Sequence, residues 1–73
     1  MISFYQILRT LREAKGVTQL EVAKSIGITV RNYQYYECAG RDPSMSTLIA
    51  LADYFDVSLD YLVGRSDNPA INR

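Results

Sequence analysis

Apolar positions along the chain recur at helical spacing, interrupted by glycine, proline and capping residues that divide it into five short runs. Phe4, Leu8 and Leu11 stand at i, i+4 and i+7, while Arg9, Arg12, Glu13 and Lys15 fall mostly elsewhere. That stripe predicts an amphipathic helix from Ser3 to about Lys15, ended by Gly16. Thr18 with Glu21 three residues later forms a capping box that opens a second helix through Leu20, Val22, Ala23 and Ile26. Gly27 closes it after two turns, and Thr29 caps a third helix, Val30 to about Glu37, whose inward positions are Tyr33 and Tyr36.

The stretch from Cys38 to Ser44 contains Gly40 and Pro43 and predicts the longest loop of the chain. Ser44 or Ser46 caps a fourth helix with the stripe Leu48, Leu51, Ala52 and Phe55. Ser58 precedes a last short helix carrying Leu59 and Leu62, ended by Gly64. No segment alternates with period two for long enough to make a strand. The expectation is an all-α domain of five helices over residues 1–64, followed by a flexible tail over 65–73 that has no period and little apolar content.

Length and composition narrow the function. At 73 residues, with 48% hydrophobic and 22% charged, the chain is one ordinary small domain with no room for a large cofactor fold. The single cysteine, Cys38, permits no internal disulfide. The lack of any histidine removes Ser/Cys–His catalytic pairs and the usual zinc ligand sets. Asp53, Asp56 and Asp60 have no partnering ligands at metal spacing and read as solubilising charge. No enzyme, metal or cofactor is implied. No basic start followed by an apolar stretch marks a signal peptide, so a cytoplasmic protein without membrane contact is expected.

Eight basic and eight acidic residues cancel, which argues against bulk-charge coating of nucleic acid. The distribution is uneven. Residues 1–41 carry six basic and three acidic side chains, whereas residues 42–73 carry two basic and five acidic ones. One half of the chain suits phosphates and the other does not.

Two short helices joined through Gly27, with small Ala23 four residues earlier, suit a close crossing within a three- or four-residue turn. In that arrangement Val30, Arg31, Gln34 and Tyr35 stand clear of the core. The sequence here resembles the phage-repressor and Cro-like (XRE) helix-turn-helix family. The matching residues are Leu11-Arg12-Glu13, Lys15-Gly16, Thr18-Gln19, Leu20, Ala23, Gly27-Ile28-Thr29, Tyr36-Glu37, Pro43-Ser44, Leu48, Leu51-Ala52 and Val57 to Leu62. They extend the resemblance from about Phe4 to Gly64.

The resemblance implies a compact lambda-repressor-like fold whose third helix enters the DNA major groove. It places Val30, Arg31 and Tyr35 at base-facing positions and Gln34 at a flanking one. Thr29, at the start of that helix, is expected among the DNA-binding residues, with Gln19 at a phosphate and Arg41 in a loop that meets the backbone. It further implies an ion pair between Arg12 and Glu37, and a homodimer on a two-fold operator of double-stranded DNA. Leu59, Tyr61, Leu62 and Val63 are the expected dimer surface, and no small-molecule ligand is implied.

Three positions depart from the family pattern. Ala39 stands where glycine is usual, with Gly40 following; Tyr33 replaces an aliphatic residue; and Val30 replaces a polar one. The competing reading on the same fold is a protein-interaction module, an antitoxin or anti-repressor, whose contacts would lie on the acidic half.

Overall fold

The computed structural model describes residues 3–38 and 40–70. Five helices follow one another: α1 (Phe4–Lys15), α2 (Gln19–Ile26), α3 (Val30–Glu37), α4 (Met45–Phe55) and α5 (Leu59–Leu62). Each boundary has a local cause. The Thr18 hydroxyl accepts the Glu21 amide at 3.1 Å, and the Glu21 carboxylate reaches back to the Thr18 amide at 3.4 Å. Thr29, Ser44 and Ser58 accept the amides of Asn32, Thr47 and Tyr61 at 3.1, 3.3 and 3.0 Å, so α3, α4 and α5 each start on a side-chain cap. Of the two serines offered by the sequence for α4, Ser44 is the cap.

Gly16 and Gly27 end α1 and α2 in the left-handed region, at φ 73° and 79°, where a side chain is disfavoured. The helix α4 ends in the same conformation at Asp56, φ 56°, on a residue type that tolerates it better than most. The sequence offered no stop signal there.

The core gathers Ile7, Leu8, Val22, Ala23, Tyr33, Tyr36, Leu51, Ala52, Val57 and Leu62. The helix α3 packs on α1 and α2, α4 packs on α1, α2 and α5, and α5 also rests on α1. Ala23, 1% exposed, sits where α2 meets its neighbours, and the Ile28 amide donates to its carbonyl at 3.0 Å through the turn. A larger side chain at that buried position would overpack the contact. Tyr33, fully buried, and Tyr36, 7% exposed, anchor α3 from beneath, as their spacing predicts.

Two expectations change. Leu62 is fully buried in the chain's own core, because its position on the single turn of α5 faces α1 and α4. It therefore cannot belong to a dimer surface, whereas Leu59 is exposed and Tyr61 and Val63 are half-buried. The segment after Gly64 turns back rather than trailing away. Arg65 and Ser66 donate to the Asp60 carbonyl at 2.7 and 3.2 Å, and the Ser58 amide donates to the Pro69 carbonyl at 3.0 Å. A helix start leaves amides without partners, and the tail supplies one. The tail's last three residues, 71–73, lie outside the described ones.

Candidate nucleic-acid interface

With Tyr33 and Tyr36 turned inward, α3 leaves Arg31 and Gln34 exposed to solvent. Tyr35 is half-buried beside them, and Val30 is half-buried because it packs on the edge of the core. Thr29 is exposed, but its hydroxyl is already engaged in capping α3. Gln19, at the first position of α2, lies within reach of this face, and exposed Arg41 approaches it from the loop after α3. The structure thus joins Gln19 to Gln34, and Arg31 and Arg41 to Tyr35, while Val30 is half-buried and the exposed Thr29 has its hydroxyl taken up by the cap. Ala39, the departure at the end of α3, lies outside the described residues; Cys38 caps the helix without a left-handed turn.

Under this face lies the ion pair. Arg12 Nε donates to Glu37 Oε2 at 2.6 Å and Nη2 to Oε1 at 3.3 Å, a two-pronged arrangement between α1 and the last residue of α3. The remaining arginine nitrogen donates to the Val17 carbonyl at 3.1 Å, tying the turn between α1 and α2 into the same contact. The side chains are 17% and 5% exposed, so both charges sit largely out of water. Burial by itself raises the Glu37 pKa. Hydrogen bonds from Arg12 and Gln19, together with the nearby Tyr33 hydroxyl, outweigh it and hold the carboxyl below its ordinary value. The Arg12 guanidinium is pushed up, chiefly by its hydrogen bonds to Glu37.

Gln19 has both ends of its amide committed. Its Nε2 donates to Glu37 Oε1 at 3.1 Å, and its Oε1 accepts from Gln34 Nε2 at 3.4 Å. A carboxylate accepts only, so this polarity follows from chemistry: nitrogen towards Glu37, oxygen towards Gln34. Arg9, Arg12, Gln19, Gln34, Glu37 and Cys38 line a shallow polar recess beside α3.

The Tyr33 hydroxyl is buried near this network with no partner at hydrogen-bond geometry. Burial, with the adjacent Glu37 charge, pushes its pKa far up and keeps it neutral.

Asn32 escaped the sequence reading. Its Oδ1 accepts from Arg41 Nη1 at 3.2 Å, so it receives the returning loop; no periodicity or cap rule marks such a residue. Arg41 also lies over the Tyr35 ring, 5.0 Å from its centroid, and Arg31 Nε donates to the Tyr35 hydroxyl at 3.2 Å. Arg9, by contrast, forms only an exposed pair with Glu13 at 3.5 Å, as a solvated charge would.

Comparison with known proteins agrees with this geometry. The helix-turn-helix family matches residues 8–62, from the middle of α1 to the end of α5. The chain belongs to that family. The uncharacterized HTH-type transcriptional regulator YobD of Bacillus subtilis is 39% identical over 66 residues, covering 90% of this chain and 59% of that protein. The cryptic phage CTXphi transcriptional repressor RstR of Vibrio cholerae is 38% identical over 58 residues, covering 80% of this chain and 52% of its own. This helix-turn-helix chain therefore spans little more than half the length of those relatives. Both are named for regulation, and neither for a catalytic activity. The P22 c2 repressor, solved in complex with a synthetic operator, superposes with a TM-score of 0.85 at 21% identity, covering 90% of this chain and all of that one. At that identity the likeness concerns the fold: a five-helix, lambda-repressor-like arrangement. Among the described residues no helix is long and apolar enough to cross a membrane.

Proposed function

We propose that this helix-turn-helix protein is a sequence-specific DNA-binding transcriptional repressor of the cytoplasm, acting as a homodimer on a two-fold operator. The observation that carries the reading is the exposed face of α3. Arg31 and Gln34 are exposed, with Arg41 over the Tyr35 ring on the same helix, while Tyr33 and Tyr36 lock the opposite face into the core. A helix so held fits the major groove with its first turns against base edges. Arg31 reads guanine through O6 and N7, and Gln34 flanks it. Val30 and Tyr35 complete the base-facing surface, while Gln19, Thr29 and Arg41 lie towards phosphates. Regulators among the relatives and an operator-bound neighbour of the same fold support this reading.

A neutral domain contacts few phosphates, so two recognition helices about one DNA turn apart supply the affinity that one lacks. Leu59 and Ile49, 38% and 45% exposed, flank a shallow recess lined also by Ala52 and Val57, and with Tyr61 and Val63 form the surface proposed for the second copy.

The test is selection of binders from a random duplex pool at fixed salt. A palindromic site is expected, and Arg31→Ala should relax one guanine position in each half-site by about tenfold to a hundredfold. Absence of any preferred duplex, or a single asymmetric half-site bound by monomer, would sink the proposal in its DNA or its dimer part respectively.

A further inference from the structure

We infer that Tyr35 is a positioning residue, which aims Arg31 at a base and holds Arg41 at the DNA backbone rather than reading a base itself. The inference rests on the proposal that α3 lies in the major groove.

Arg31 and Tyr35 are one helical turn apart, and the Nε–H of Arg31 is spent on the Tyr35 hydroxyl at 3.2 Å. Arginine carries five N–H donors, so this bond leaves the two terminal nitrogens, with four hydrogens between them, as an outward fork. Such a fork matches guanine O6 and N7 taken end-on. The other side of the tyrosine is used differently. The Arg41 guanidinium lies over the ring, 5.0 Å from its centroid, while its Nη1 donates to Asn32 Oδ1 at 3.2 Å.

The loop is drawn onto the ring as well. The Gly40 amide donates to the Tyr35 carbonyl at 2.9 Å, and a Cβ built on Gly40 would stand 3.1 Å from Tyr35 Cδ1. Glycine is thus the residue that lets the chain pass close enough for Arg41 to stack.

One neutral side chain therefore gathers two cations. Among the described residues neither arginine has an acidic partner; the two ion pairs there are Arg9–Glu13 and Arg12–Glu37. Holding two unneutralised guanidiniums against a single side chain, one at the hydroxyl and one over the ring, is unfavourable until an anion or an acceptor-rich edge arrives, and DNA offers both.

Hydroxyl and ring have separable duties, so two substitutions separate them. Tyr35→Phe removes the hydroxyl and keeps the ring; Tyr35→Leu removes both. Base preference is read by selection from a random duplex pool, and phosphate contact by the slope of log K against log salt. The position relaxed by Arg31→Ala identifies what Arg31 reads. Tyr35→Phe is expected to reduce guanine preference at that same position by about tenfold while leaving the salt slope unchanged. Tyr35→Leu should do both, flattening the slope by about one for each protomer.

If Tyr35→Phe leaves the Arg31 position untouched, the hydroxyl does not aim Arg31, and if it relaxes a different position, tyrosine is itself a reader; either result overturns the inference while the DNA-binding function stands. If wild-type protein selects no sequence, both fall together. Should Tyr35→Leu fold poorly by circular dichroism, Arg41→Ala supplies the slope: no change from wild type would remove the phosphate role assigned to Arg41.

Discussion

Truncating Arg12 to alanine tests the contact on which the orientation of α3 rests. In Arg12→Ala, Glu37, only 5% exposed in the intact pair, loses the guanidinium that covers it and keeps the Gln19 amide, at 3.1 Å, as a hydrogen-bond donor. An exposed ion pair contributes about 0.2–1 kcal/mol, whereas breaking a buried one by removing one partner costs about 3–5 kcal/mol. Exposures of 17% and 5% set this pair close to the buried limit, so the expected loss at neutral pH is about 3 kcal/mol. A domain of 73 residues holds about 4–11 kcal/mol in total, at about 0.05–0.15 kcal/mol per residue, so the variant keeps only part of its stability. Its melting midpoint should fall by about 12 °C or more.

Acid provides a second axis for the same experiment. In the wild type the Glu37 pKa is depressed, so its contribution to stability is present above the ordinary carboxylate range and is lost as the pH falls through the lower folded value. Without Arg12 the effect of burial dominates and the Glu37 pKa rises. The deficit of Arg12→Ala is then largest at neutral pH and shrinks as Glu37 takes up a proton. Thermal and urea denaturation followed by circular dichroism across pH measures both quantities. A deficit below about 1 kcal/mol at neutral pH, or one that does not shrink on acidification, would refute the reasoning. Replacing both partners, as Arg12→Met with Glu37→Leu, should recover most of the loss, because neither charge is left alone.

Three further outcomes can be checked, two by the same denaturation assays and the third by a DNA-binding titration. Tyr33→Phe deletes a buried hydroxyl without a hydrogen-bond partner and should be neutral or stabilising by up to about 1 kcal/mol; a larger loss would mean that the hydroxyl bonds to Glu37 in solution. Gly27→Ala puts a Cβ where nothing lies within 4 Å but φ is 79°, so it should cost about 1–2 kcal/mol through backbone strain alone, and asparagine should cost less than alanine. Gly40→Ala forces the Tyr35 ring to give way at 3.1 Å; it should weaken DNA binding several-fold while moving the melting midpoint little, and unchanged binding would show that the ring's place is immaterial.

Much of this architecture was legible along the chain because its causes are local. Thr18 with Glu21, Thr29, Ser44 and Ser58 each satisfy an amide three residues away, and Gly16 and Gly27 end helices through their own backbone freedom. The inward pair Tyr33 and Tyr36 follows from a period of 3.6, and with it the outward face that bears Arg31 and Gln34. The Arg12–Glu37 pair was anticipated from family resemblance; no rule of spacing joins residues 25 apart.

Other features exist only because separate elements were brought together. Arg41 reaches the Tyr35 ring through the path of a loop, Gln19 is polarised by a carboxylate on another helix, and Pro69 returns to the start of α5. Leu59 and Leu62 look alike in sequence, yet one is exposed and the other sealed in the core, since α1 and α4 cover one side of that single turn. Propensity and capping act over three or four residues and leave their mark in the order of side chains. Which groups finally touch is decided by helix crossings and loop paths, whose energies belong to the assembled domain.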